Sequence, residues 1–392
     1  MRNHVPKYQK PIKSVNDPIV QVDSWHDAID AFDEKDYEKS LRSLFHYMNP
    51  EVAKKIPATG DFSIEYPQGS SRVTFGLKNG IFFIESPFVK MTENTNKVAM
   101  LRHANELNFS FLTVPQIHLI DETLWFKFET PLHLCQPNKI YDALREICVA
   151  TDDFDDEFIE KYEAERIQEP VVQQLSEAEK AEAWNQIQAI LAEYRRYMDY
   201  FEEKRWDGSQ WDILMLSLFQ LGNMPYIQGI LRTDLQEYIQ NINNNRIDFH
   251  FRIDKGKNFF KQLSEKSQDE IMKDVYYTYN LMGLKWRSSG KFLQEEAHGY
   301  EEQVRKYKSS NDYFNICYYL YYLYLYILYH YNLDQEYRSF ITGTLEKASG
   351  ETYERAAEIY LESFEHLLKE TLPKGFKVEQ KAKKGFFARL FG

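Results

Sequence analysis

The strongest constraint on the fold is a change of hydrophobic period. Phe62, Ile64 and Tyr66 alternate with Ser63 and Glu65, and Val73, Phe75 and Leu77 alternate with Arg72, Thr74 and Gly76. Alternation at period two marks half-buried strands, because successive side chains point to opposite faces. Asn79-Gly80 follows, a dipeptide that tolerates the positive φ of a two-residue hairpin turn, and residues 81–85 return as a third strand. A second hairpin spans 116–129 and turns near Asp121-Glu122; Leu124, Phe126 and Phe128 alternate there with Trp125, Lys127 and Glu129. After Glu169-Pro170 the alternation does not return, and every apolar pattern has helical spacing.

Between the strands the spacing predicts helices. Trp25, Ile29 and Phe32 mark one stripe and Leu41, Leu44, Phe45 and Met48 another, so residues 24–49 form one long or two short helices ended by Asn49-Pro50. Residues 94–107 carry Met100, Leu101, Ala104 and Leu107 on one expected face. Pro137 opens a helix whose stripe is Ile140, Tyr141, Leu144, Ile147 and Cys148, and a last helix is expected from Thr151. The order α-βββ-α-ββ-αα describes an α+β domain over 24–170, an antiparallel five-stranded sheet with helices. An all-α domain over 171–373 follows, a bundle or irregular helical repeat. Its candidate helices are 176–205, 209–221, 226–242, 267–287, 290–308, 311–332, 334–348 and 351–371. Ser209 with Asp212 is the expected cap of the second, and Asn243-Asn244-Asn245 a break.

Composition narrows the class. With 43% hydrophobic residues in 392, the chain has material for real cores. Sixty acids against 48 bases leave a net charge of −12, which argues against nucleic acid as the main partner. Three cysteines are too few for a disulfide framework and suit a reducing, cytoplasmic compartment. Residues 1–23, basic at the start and interrupted by prolines, have no apolar run of signal-peptide type and read as an extended arm. Residues 313–333 carry no formal charge, long enough for a membrane span. Nine of them are Tyr, however, and a helix apolar on every side is expected at the centre of a helical domain.

The search for chemistry yields little. No nucleotide-binding, nucleophile-elbow or zinc-protease motif occurs. His133 with Cys135 lacks the further ligands zinc needs, and Cys148 with His118 has no motif around it. No catalytic residue, cofactor or metal ligand is therefore assigned. Two charged segments stand out. Asp152, Asp153, Asp155, Asp156 and Glu157 crowd behind Thr151 within a stretch, 151–169, of net charge −7. Carboxylates in a first helical turn cap free N–H groups, and an excess of them can face a basic partner. Residues 374–392 reverse the sign to +5 and place Phe386, Phe387, Leu390 and Phe391 on one side of a helix. Such a basic aromatic tail suits a protein groove or an anionic lipid surface.

Several phrases carry a family likeness: LRHANELNF (101–109), QIHLIDETLWFKFETPL (116–132), PNKIYDALREIC (137–148) and DDFDDEFIEKYEAERIQEP (152–170). With the order of elements, they resemble the type III secretion chaperone-like fold, including the YbjN-like bacterial proteins. The resemblance covers 24–169 and implies an acidic domain, often a homodimer, that holds client segments on its surface without catalytic residues. The expectation is thus a non-enzymatic adaptor or chaperone-like protein. Its partner is a protein or peptide client, in one arrangement its own C-terminal tail. A peripheral protein docking on anionic lipid through the tail is the alternative, and an unrecognised hydrolase the third.

Overall fold

The computed structural model describes residues 4–13, 18, 20–21 and 23–372, and within them the period-two segments pair into one sheet. Strands β1 (Phe62–Gln68), β2 (Ser71–Lys78), β3 (Ile81–Lys90), β4 (Gln116–Ile120) and β5 (Thr123–Pro131) run antiparallel in the order β1-β2-β3-β5-β4. A two-residue strand, β6 (Glu165–Arg166), adds to β3. Both hairpins turn as their dipeptides demand, with φ of 52° and 75° at Asn79 and Gly80 and of 46° and 62° at Asp121 and Glu122. The register sets Phe75 opposite both Ile64 and Ile84, and Ile84 opposite Phe128. That face is buried. The other mixes Phe83 and Trp125 with the ion pairs Glu65–Arg72 at 2.8 Å and Glu85–Lys127 at 3.5 Å.

Helices cover the buried face. Helices α1 (Asp23–Asp33) and α2 (Tyr37–Met48) form the pair before the sheet, followed by one turn, α3 (Pro50–Ala53). Phe45 of α2 stacks on Phe75 with ring centroids 4.4 Å apart. Helix α4 (Lys97–Ser110) links the hairpins, and α5 (Pro137–Asp153) lies across β2, β3 and β5. The whole expected stripe of α5 is buried. A short α6 (Asp155–Tyr162) begins after Phe154, four residues later than the sequence suggests. Thr151 is not a cap: it is buried inside α5, its hydroxyl donating to the Ile147 carbonyl at 2.8 Å.

The chain divides into two compact units. One comprises Pro6–Trp286 with Tyr329–Asn332, the other Met1–Val5, Arg287–Leu328 and Leu333–Gly392. The division falls after Trp286 and not at Glu169-Pro170, because residues 279–284 return to the α+β region. The Leu281 carbonyl accepts from Asn49 Nδ2 at 3.0 Å, Gly69 N–H donates to the Tyr279 carbonyl at 3.1 Å, and Leu281 and Met282 enter the sheet's core. The expected helix 267–287 is therefore only α11 (Gln268–Met272), numbered after the four helices that precede it. Those four are α7 (Glu177–Lys204), α8 (Asp207–Gly222), α9 (Gly229–Ile242) and α10 (Phe249–Glu265), the last not anticipated from sequence. Strand β7 (Val172–Gln173) pairs with β8 (Tyr277–Thr278). Helix α8 starts at Asp207, so Ser209 and Asp212 lie inside it and cap nothing. Gly256 lets α10 approach α8: a Cβ there would meet the Leu214 side chain at 2.4 Å.

Described residues of the N-terminal arm are bonded to each unit separately. In the larger unit Gln9 N–H donates to Gln220 Oε1 at 2.9 Å, and Lys13 pairs with Glu179 at 2.6 Å. With the Ser176 capping box, that ammonium holds the Glu179 carboxyl down at about 2. In the smaller unit Val5 N–H donates to the Glu351 carbonyl at 2.9 Å.

The smaller unit holds α12 (Gly290–Ser309), α13 (Tyr313–His330, of which Tyr329 and His330 belong to the larger unit), α14 (Gln335–Ala348) and α15 (Tyr353–Leu368). Helix α13 is the expected central helix, buried on nearly every side. One of its tyrosines keeps a polar contact inside: the Tyr324 hydroxyl donates to the Tyr360 carbonyl at 3.0 Å. Among the described residues no helix is long and apolar enough to cross a membrane.

Candidate functional site

Helix α4 buries one apolar side and leaves Val98, Leu101 and Phe109 exposed on the other. Asn96 caps it, accepting from Ala99 N–H at 3.3 Å. Met100, Ala104 and Leu107 are buried toward the sheet. His103, on the flank, stacks on Phe158 at 4.9 Å, its Nδ1 3.1 Å from the Tyr162 hydroxyl. Asn108 faces the sheet edge and closes it: its Oδ1 accepts from Ile117 N–H at 2.7 Å and its Nδ2 donates to the Ile117 carbonyl at 3.1 Å. The tether fixes α4 beside β4 and occupies backbone groups that an added strand would need.

The opposite side faces water. At 3.6 residues per turn, Val98, Arg102, Asn105 and Phe109 lie within about 60° of arc, with Leu101 beside them. Phe109 is 84% exposed and Val98 64%, and Leu119 and Ile120 of the edge strand are exposed as well. Leu101, expected on the buried face, is on this one. Arg102 and Glu106 are both exposed and form no ion pair, with each other or with any other described residue. An exposed phenylalanine alone is ordinary; here it shares one side of a held helix with Val98 and Leu101, beside charges that no described residue pairs.

The acidic segment has the opposite character. Its five carboxylates straddle the α5–α6 junction, and each meets a base of the same chain. Asp152 binds Arg232 of α9 at 2.7 Å and accepts from Ser70 N–H at 3.0 Å, with Asp153 3.8 Å from the same guanidinium. Asp155 and Asp156 each contact Arg166 at 2.6 Å, and Glu157 meets Lys161 at 3.0 Å. Burial pushes Asp153 and Asp155 up to about 6 against the pull of their arginines. The junction is a closed ionic clasp between the sheet region and α9.

Below it lies a cavity of about 250 Å³ lined by Asp152, Arg232, Lys285, Trp286, Tyr329 and His330, among others. Burial, then the Lys285 charge, lowers His330 to about 4, so the imidazole is neutral. Asp152 and Arg232 spend their charge on each other. The thiols are inert: burial raises Cys135 to about 12 and drives Cys148 and Cys317 up as well. His118 and His133 are exposed while Cys148 and Cys135 are buried, so neither sequence pair is a reactive couple. No three His, Cys, Asp or Glu side chains among the described residues are placed to hold a metal ion. Phe386, Phe387, Leu390 and Phe391 lie outside the described residues.

The outward face of α4 escapes a sequence reading that seeks one apolar face per helix. Its signal is present nonetheless: Val98, Arg102, Asn105 and Phe109 recur at 4-3-4 opposite Met100, Ala104 and Leu107. No family model, curated protein or solved structure matches the chain.

Proposed function

We propose that the chain is a non-catalytic protein-binding adaptor of chaperone-like type, and that α4 is its contact surface. The supporting observation is the solvent-facing stripe Val98, Leu101 and Phe109, mounted on a helix that Asn108 anchors to the sheet edge. A rigid helix presenting aromatic and aliphatic side chains loses little entropy on docking, which favours protein contact. The outer sheet face is a poorer candidate, since its charges already pair across strands.

The test is photo-crosslinking in the native cell. A photoreactive side chain is placed at Phe109 of the full-length protein, with a control at Glu65 on the outer sheet face. Protein adducts at 109, absent at 65 and identified by mass, support the reading. Equal adducts at both positions, or none at 109, refute it.

A further inference from the structure

We infer that the cavity beneath the acidic junction binds a small organic monocarboxylate with an apolar body. Stretches distant in sequence build it: the α8–α9 connection, residues 278–286 of the return toward the sheet, and the end of α13 at Tyr329 and His330. All of them belong to the larger unit. An apolar cavity of roughly 150 Å³ admits benzene. The space here, about 250 Å³, therefore holds a ring with an acid group attached. Its wall is shaped by tight local contacts. Gly222, the last residue of α8, lies against the Tyr329 ring, which a Cβ would approach to 2.6 Å. At the rim, Arg145 crosses the face of Trp286 at 4.3 Å and donates to the Leu284 carbonyl at 3.1 Å. No residue of α4 lines the cavity, so the inference stands apart from the protein-binding reading.

Charge names the ligand's head. Among the described residues on the wall, Asp152 is the one carboxylate, and Arg232 pairs with it at 2.7 Å. Lys285 is a second cation, half-buried, its Nζ donating to Asn223 Oδ1 at 3.4 Å. Its charge reaches His330, whose imidazole stays neutral beside it. The wall thus holds a surplus of one positive charge, which a monoanion balances and a phosphate dianion overshoots. A carboxylate meets an ammonium in a charge-assisted hydrogen bond, strengthened where water is partly excluded. The body of the ligand is set by the remaining wall. Met224, Ile227 and Leu235 are buried and apolar, and Trp286, 59% exposed, stands where the cavity meets solvent.

Calorimetric titration of the full-length protein with benzoate, with its uncharged counterpart benzamide and with acetate reads this out. Benzoate is expected to bind with a Kd of about 1 mM or tighter. Benzamide lacks the charge and acetate the ring, so each binds at least about tenfold more weakly. Lys285→Met removes the preference for benzoate over benzamide, and Lys285→Arg keeps most of it. Gln236→Trp fills the cavity from α9, leaves every charge in place and weakens benzoate by about tenfold or more. Each variant is read beside its melting temperature without ligand, and Gln236→Trp decides the site if Lys285→Met does not fold. Equal binding of benzoate and benzamide, or of benzoate and acetate, overturns the inference. So does the absence of benzoate binding at about 10 mM, or benzoate binding that folded Lys285→Met or Gln236→Trp leaves unchanged.

Discussion

The acidic junction at 152–157 and the outer face of α4 lie in the same unit and teach opposite lessons about exposed charge and apolar surface. The junction is conspicuous in sequence, five carboxylates in six residues, yet Arg166 and Arg232 close it from within. The α4 face is inconspicuous, three apolar residues and one Arg/Glu pair among fourteen, yet no described residue covers it. A local excess of charge advertises an unmet need that the fold can answer with residues eighty positions away. Apolar side chains left in water find no such answer among the described residues.

The contrast can be broken at its ionic end. Arg232→Met leaves Asp152 almost buried without its guanidinium, and the expected loss is about 3 kcal/mol in a urea unfolding curve near neutral pH. A loss well under 1 kcal/mol means the junction is hydrated and open, and the contrast with α4 disappears.

A half-buried carboxylate without an arginine sharpens the point. Asp212 of α8 forms no hydrogen bond or ion pair with a described residue, and desolvation raises it from 3.8 to about 7. The folded state then binds more protons than the unfolded one, so stability falls as pH rises from about 4 to about 7. Asp153 and Asp155, raised to about 6, push in the same direction over the lower part of that window. Asp212→Asn should add on the order of 2 kcal/mol at pH 8 and almost nothing at pH 4. Paired unfolding curves at the two pH values decide it, and an equal effect at both means that Asp212 is not strained by ionisation.

The smallest effect belongs to α4. Phe109→Ala is expected to change the unfolding free energy of the monomer by less than about 0.5 kcal/mol, since the ring buries little within one chain. A loss of 2 kcal/mol or more, measured by denaturation at a concentration too low for association, would make Phe109 a core residue and remove the contact surface.

Much of the fold was legible. Both hairpin turns, the α5 stripe and the burial of the Tyr-rich α13 follow from period and turn chemistry, which act over four to twenty residues. The misreadings are of another kind. Residues 273–286 carry enough apolar side chains for a helix, but they serve an extended return into the sheet's core, while α10 forms just before them. Thr151 and Ser209 have capping chemistry, yet both fall inside helices that neighbouring contacts lengthened.

The amino-acid order by itself determined where strands alternate, where hairpins turn, and that α4 carries apolar residues at helical spacing. Only the tertiary structure decided which of those residues are buried, which carboxylates find arginines, and that the division into units follows Trp286 instead of Pro170. The reason is physical. Periodicity is set by backbone geometry within one element, whereas burial and charge pairing depend on what distant segments bring to that element's surface.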